Sequence, residues 1–138
     1  MFDKLHFLMD TIDMLAAQGC RATKKHNDVA VHCAYRNMDV HTGIVTRCAI
    51  GLHIPDNVYS AAMENGYIAS QLMQAFPAVR EHIEKYGGSL DLDFLNLVQK
   101  YLHDKNSENT DYLPEQVGFS HETLLARAAH YFPELFAQ

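Results

Sequence analysis

Apolar side chains recur at helical spacing from the start of the chain. Leu5, Leu8, Met9, Ile12, Leu15 and Ala16 fall on one face, and Gly19 follows where a helix would close. This spacing predicts an amphipathic helix over residues 3–18. Residues 21–28 are polar and basic and read as a loop. The pattern then changes to alternation. Val29, Val31, Cys33 and Tyr35 share one face of a strand over 29–36, and Ile44, Thr46, Cys48 and Ile50 share one face of a second over 44–51. The turn formers of Asn37–Gly43 lie between them, so the pair reads as a β-hairpin with a longer loop.

Helical patterning returns after Pro55. Asp56 is placed to cap a helix over Val58–Glu64, which Asn65-Gly66 ends. Tyr67–Phe76 reads as a helix stopped at Pro77, and Ala78–Tyr86 as another closed by Gly87-Gly88. Ser89 is placed to cap a longer helix through Leu92, Leu95, Val98 and Leu102. Residues 104–118 are polar, contain Pro114 and Gly118, and read as a loop. Ser120 begins a last helix presenting Leu124, Leu125, Ala128 and Phe132. Phe119 and Leu124 sit at the positions of a hydrophobic staple, and the helix stops near Pro133. The expected fold class is α+β: a mostly helical single domain over residues 1–138, with a helical layer packed on a β-hairpin or small antiparallel sheet.

Composition narrows the classes of function. The chain has 138 residues, 48% of them hydrophobic, which is ordinary for one globular domain. Seventeen acids against eleven bases give a net charge of −6, which argues against nonspecific nucleic-acid binding. Arg21, Lys24 and Lys25 form the densest positive cluster and read as a solvated loop. Asp3, Asp10 and Asp13 interrupt the first helix, so it does not read as a signal peptide, and no apolar run approaches the length of a membrane span. The three cysteines, Cys20, Cys33 and Cys48, fit a reducing compartment. A cytoplasmic location is expected, with no membrane partner and no cofactor.

The hairpin carries the most suggestive chemistry. If partner numbers sum to about 81, Cys33 faces Cys48, with opposed Cβ atoms roughly 4.5 to 5.5 Å apart. Such a pair could ligate a metal, form a strained disulfide or act in redox chemistry. The plainer alternative is two small buried hydrophobes. Nine histidines raise the question of zinc, and His32, Cys33, His41, Cys48 and His53 cluster in sequence. The C-x₂-C pair typical of structural zinc sites is missing, however. His103-Asp104 resembles the HD pair of metal-dependent phosphohydrolases, but also suits a histidine at a helix C-terminus. A nucleophilic set can be drawn from Cys48, His53 and Asp56, with His121 as another imidazole. A strand is an unusual place for an activated thiol.

The segments Cys33-Ala-Tyr-Arg36, Arg47-Cys-Ala-Ile-Gly51, Ile54-Pro-Asp56, Tyr59 and Met63-Glu64 resemble a pattern in small hypothetical proteins of phages and prophages. That pattern reads approximately C-x-Y-R, then C-A-I-G-x-x-I-P-D-x-x-Y, then M-E-G. A further L-Q-x-x-H-D segment is matched loosely by Val98-Gln99 and His103-Asp104. The gap between the strands is longer here, and Asn65 separates Glu64 from Gly66. The resemblance spans about residues 33–104. It implies a viral or mobile-element context and supplies no mechanism.

Residue chemistry gives the same motif a structural reading. Gly51 lets the strand turn without a Cβ clash, Pro55 sets the turn, Asp56 caps a helix, and Cys48 and Ile50 anchor in the core. The structural motif expected is therefore Cys33, Tyr35, Arg36, Cys48, Gly51, Pro55, Asp56 and Tyr59. The leading functional expectation is a phage-type accessory protein that binds another protein, host or viral. An inhibitor of a host defence or nucleic-acid-processing system is one form of it. A Cys/His-dependent hydrolase or thiol enzyme and a small metal-binding module are the alternatives. Direct nucleic-acid contact is not expected, and the oligomeric state stays open.

Overall fold

The computed structural model describes residues 2–19, 23–26, 29–38, 42–65, 67–88, 90–104 and 120–137. Among the described residues it is mostly helical, with two small antiparallel two-stranded sheets. The expected α+β class therefore holds. Among the described residues, no helix is long and apolar enough to cross a membrane.

Helix α1 runs over Lys4–Gln18. Asp3 caps it by accepting from His6 N at 3.0 Å, and Gly19 closes it at φ 78°, the left-handed position that glycine fills without strain. Of the expected stripe, Leu8, Ile12 and Leu15 are wholly buried and Leu5, Met9 and Ala16 partly so; Phe7, outside that stripe, is wholly buried as well. The helix is tied at both ends. The Asp3 N–H donates to Tyr86 O at 2.7 Å, and the Gln18 amide bonds the backbone of Arg47.

The strand region differs from its expected form. Thr23–His26 (β1), read above as loop, pairs with Val29–Cys33 (β2), and a register shift falls between Lys24 and Lys25. The expected hairpin survives only as the two-residue strands Asn37–Met38 (β3) and Val45–Thr46 (β4), paired Asn37 with Thr46 and Met38 with Val45. Cys33 pairs through its backbone with Thr23, not with Cys48. The cross-strand cysteine pair is thus overturned. Ala34, Tyr35 and Arg36 leave the ladder because other partners take their backbone groups, as described below. The segment after Thr46 also fails to continue as a strand. It turns into a 3₁₀ turn over Gly51–His53.

Asp56 does not cap a helix. The chain turns at Pro55, whose carbonyl accepts from Val58 N at 2.9 Å. The next helical turn, Ala61–Glu64, is capped by Ser60. Helices α2 (Ala69–Ala75) and α3 (Pro77–Ile83) are separated where Pro77 predicted the break, and a 3₁₀ turn over Glu84–Tyr86 extends α3 to Gly87. Asp91 caps α4 (Leu92–Val98), accepting from Phe94 N at 3.1 Å. Ser89, expected in that role, lies outside the described residues, as does most of the 104–118 loop. The α4 helix widens into a π turn over Gln99–Asp104, which carries Gln99 and His103 into the interior. Ser120 caps α5 (His121–Tyr131) as expected, and Pro133 starts the short α6 (Pro133–Phe136). Leu124 is buried, while its staple partner Phe119 lies outside the described residues.

Helix α1 packs against α5, α6 and the Gly51–His53 and Glu84–Tyr86 turns. Aromatic rings fill the junction edge to face. Phe7 meets Tyr86 at 5.3 Å between centroids, and Phe94 meets Phe132 at 5.3 Å.

The cap of α1 gives a direct check. Asp3→Ala removes the acceptor for His6 N and is expected to cost about 1 kcal/mol. Urea unfolding should show a lower midpoint with an unchanged slope.

Candidate functional site

Where a strand stops, its next amide groups need other partners. Beyond β2 those partners come from one side chain. Glu64 Oε1 accepts from Tyr35 N at 3.1 Å, and Glu64 Oε2 accepts from Arg36 N at 3.0 Å. The Tyr59 hydroxyl donates to the same Oε2 at 2.6 Å. Burial and then this carboxylate push the Tyr59 phenol pKa up, so it stays a donor. Tyr35 is fixed at its other end, where its hydroxyl donates to Tyr67 O at 2.6 Å.

The neighbouring residues close around this centre. The Arg36 guanidinium lies 5.3 Å from the Tyr59 ring centroid, a cation–π contact. Arg36 reaches Asp56 Oδ1 at 3.9 Å, and Arg47 meets the same oxygen at 2.7 Å. Cys48 N donates to Ala34 O at 3.2 Å. Gly51 then passes directly beneath Tyr35, where a Cβ would come within 2.0 Å of Tyr35 O. Gly51 thus lies at a close approach of two backbones, which leaves no room for a side chain. Pro55 sets the turn and its carbonyl also accepts from Tyr59 N at 3.1 Å.

These contacts assemble most of the expected motif into one knot. Tyr35, Arg36, Cys48, Gly51, Pro55, Asp56 and Tyr59 all belong to it. The backbone of Cys33 enters it from β2. Its hub, Glu64, had no assigned role in the sequence reading. One signal was available: Glu64 is the sole acid between Asp56 and Glu81. Two glutamines were also missed. Gln18 bonds both Arg47 O (2.7 Å) and Arg47 N (2.8 Å), and buried Gln99 accepts from Ile50 N at 3.1 Å.

The residues drawn above as a nucleophilic set enter separate networks. Cys48 is wholly buried and its Sγ accepts from Gly51 N at 3.3 Å. Asp56 is exposed and paired with the two arginines. His53 is buried, stacked on Phe7 at 4.3 Å and bonded through Nε2 to Thr11 Oγ1 at 2.7 Å. Desolvation first, then the Lys85 and His82 charges, lower its pKa to about 3, against an opposing pull from Asp10. His121 sits at the surface, 3.0 Å from Asp13. His103 is buried, with Nδ1 3.4 Å from Gln99 Nε2. Among the described residues, no group of three or more His, Cys, Asp or Glu has metal-binding geometry.

Two large apolar side chains are exposed beside the knot. The short hairpin β3–β4 projects Met38, 57% exposed, and Ile44, beside Val45, is 61% exposed. Arg36 and Arg47 lie at its base. No family model matches the chain, and no curated protein or solved structure matches it.

Removing the hub has a calculable effect. Glu64→Ala leaves two backbone amides and a phenol without their acceptor and is expected to cost about 2 to 4 kcal/mol. Glu64→Gln keeps one oxygen and should cost less, which denaturant titration of the pair resolves.

His53 makes stability depend on pH. The unfolded chain takes up a proton below its ordinary pKa of 6.5, whereas the folded chain does so only near 3. The folded state therefore loses stability as pH falls from 6.5 towards 3, by about 2 kcal/mol at pH 5. The stability gap between the native protein and His53→Leu should narrow by that amount between pH 7.5 and pH 5.

Proposed function

We propose that this protein is an accessory protein that acts by binding another protein, in the manner of the small phage and prophage proteins its motif resembles. An inhibitor of a host defence or nucleic-acid-processing system, working in the host cytoplasm, is its most concrete form. The observation that supports this reading is the pair of large apolar side chains, Met38 and Ile44, held out on a hairpin whose base is braced. Exposed apolar groups on a preorganised element suit recognition, because less ordering entropy is lost on docking. Methionine adapts its shape to a partner, and arginine is favoured at interfaces. The partner that fits is a protein with an apolar depression for Met38 and Ile44 and hydrogen-bond acceptors around it for Arg36 and Arg47.

The test is a comparative capture. Native protein, the double variant Met38→Asp/Ile44→Asp, and Leu97→Asp on the exposed face of α4 serve as baits in bacterial lysate. One partner should be retained by the native and Leu97→Asp baits and lost from the double variant, whose thermal midpoint stays unchanged. A partner set indifferent to the hairpin substitutions would refute the reading.

A further inference from the structure

A cavity of about 220 Å³ opens between α1, the Gly51–His53 turn and the stretch from His82 to Tyr86. Its wall includes Asp10, Asp13, His53, His82, Lys85 and Tyr86, and it shares no residue with the hairpin face.

The protonation of His53 follows from its neighbour. Thr11 has one hydroxyl hydrogen, and Thr11 Oγ1 donates it to Phe7 O at 2.7 Å. Toward His53 the same oxygen can only accept, so His53 Nε2 carries the hydrogen. The Nδ1 lone pair then has no hydrogen-bond partner among the described residues. His53 is only 3% exposed, and an acceptor so deeply buried calls for a donor. The charges that act on the ring, those of Lys85, Asp10 and His82, all belong to the same cavity wall.

Two carboxylates add to this acceptor. Asp10 Oδ2 receives the Tyr86 hydroxyl at 2.6 Å and faces His6 at 3.4 Å, which leaves Oδ1 open among the described residues. Asp13 Oδ1 meets His121, which leaves its Oδ2 open in the same sense. Lys85 lies 5.2 Å from the Tyr86 ring centroid. With His53 and His82 neutral, Asp10, Asp13 and Lys85 leave the wall one net negative charge. The cavity wall thus carries three open acceptor positions against one cationic donor group, Lys85, and is mildly anionic. Metal ligation is not the match, since no group of three ligating side chains has the geometry for it among the described residues.

We propose that this cavity binds a small primary ammonium compound. A primary ammonium has three N–H donors, which His53 Nδ1, Asp10 and Asp13 are placed to accept, and its charge neutralises the wall. Met14 and Leu52 complete the lining and offer contact to a short aliphatic chain. The volume suits a ligand of a few heavy atoms, below the drug-sized range.

The experiment titrates the full chain with n-propylammonium chloride and follows the His53 ring nitrogens by NMR at pH 7.5. Tetramethylammonium, a cation without N–H, and propionate, an anion of similar size, are the comparisons. The expected result is a saturable shift with n-propylammonium alone, weakened about tenfold or more in the double variant Asp10→Asn/Asp13→Asn. The amide oxygen that D10N introduces can still accept from the Tyr86 hydroxyl, so that contact is kept. A linear response up to about 100 mM would overturn the site, given the affinity scale of even weak specific binding. So would equal responses to all three salts, or binding unchanged in the double variant.

Discussion

One carboxylate ties the end of a strand to a distant helical turn. Glu64 sits on a short helical turn yet takes the backbone amides of Tyr35 and Arg36 at the end of a strand, and the Tyr59 hydroxyl besides. Amide donors to an ionised acceptor are among the stronger hydrogen bonds a protein makes. The contact crosses almost thirty residues of sequence and ties the chain beyond β2 to the helical turn at Ala61–Glu64. Gly51 lies directly against the Tyr35 backbone, and Cys48 N reaches Ala34 O in the same arrangement.

The same device recurs twice. Gln18 offers its amide to both backbone groups of Arg47, and Gln99 receives Ile50 N from within a π turn. In each case a helical side chain does what a neighbouring strand would do in a larger sheet. The domain can therefore make do with strands of two to five residues, because irregular backbone is satisfied from the side.

This substitution of side chains for strands explains what sequence patterning could and could not convey. The elements governed by local rules were legible: α1 with its Asp3 and Gly19 ends, the break at Pro77, the stop at Gly87 and the Ser120 cap. The hairpin register was not, since alternation in Val29–Tyr35 and Ile44–Ile50 implied two long strands facing each other. Pairing instead followed Glu64 and Gln18, whose roles depend on contacts across 28 or 29 residues of sequence. The motif around Tyr35, Gly51 and Tyr59 was visible as a group, while its centre was not, because a lone glutamate at the end of a short helix looks like any solvated residue. The same holds for the cavity. His53 appeared as a possible base, and only its bond to Thr11 and its stacking on Phe7 show which nitrogen is committed.

Helix α1 carries a consequence of its own. It is anchored at one end through Asp3 to Tyr86 and at the other through Gln18 to Arg47, and its 15 residues span about 22 Å between those anchors. Adding or deleting a single residue would swing one anchor by about 100° around the axis, away from its mate. Within that rod the outward-facing letters other than Asp10 and Asp13 are open to drift, but the number of letters is not. The rod acts as a ruler, and lineages of this protein should vary its spelling far more readily than its count.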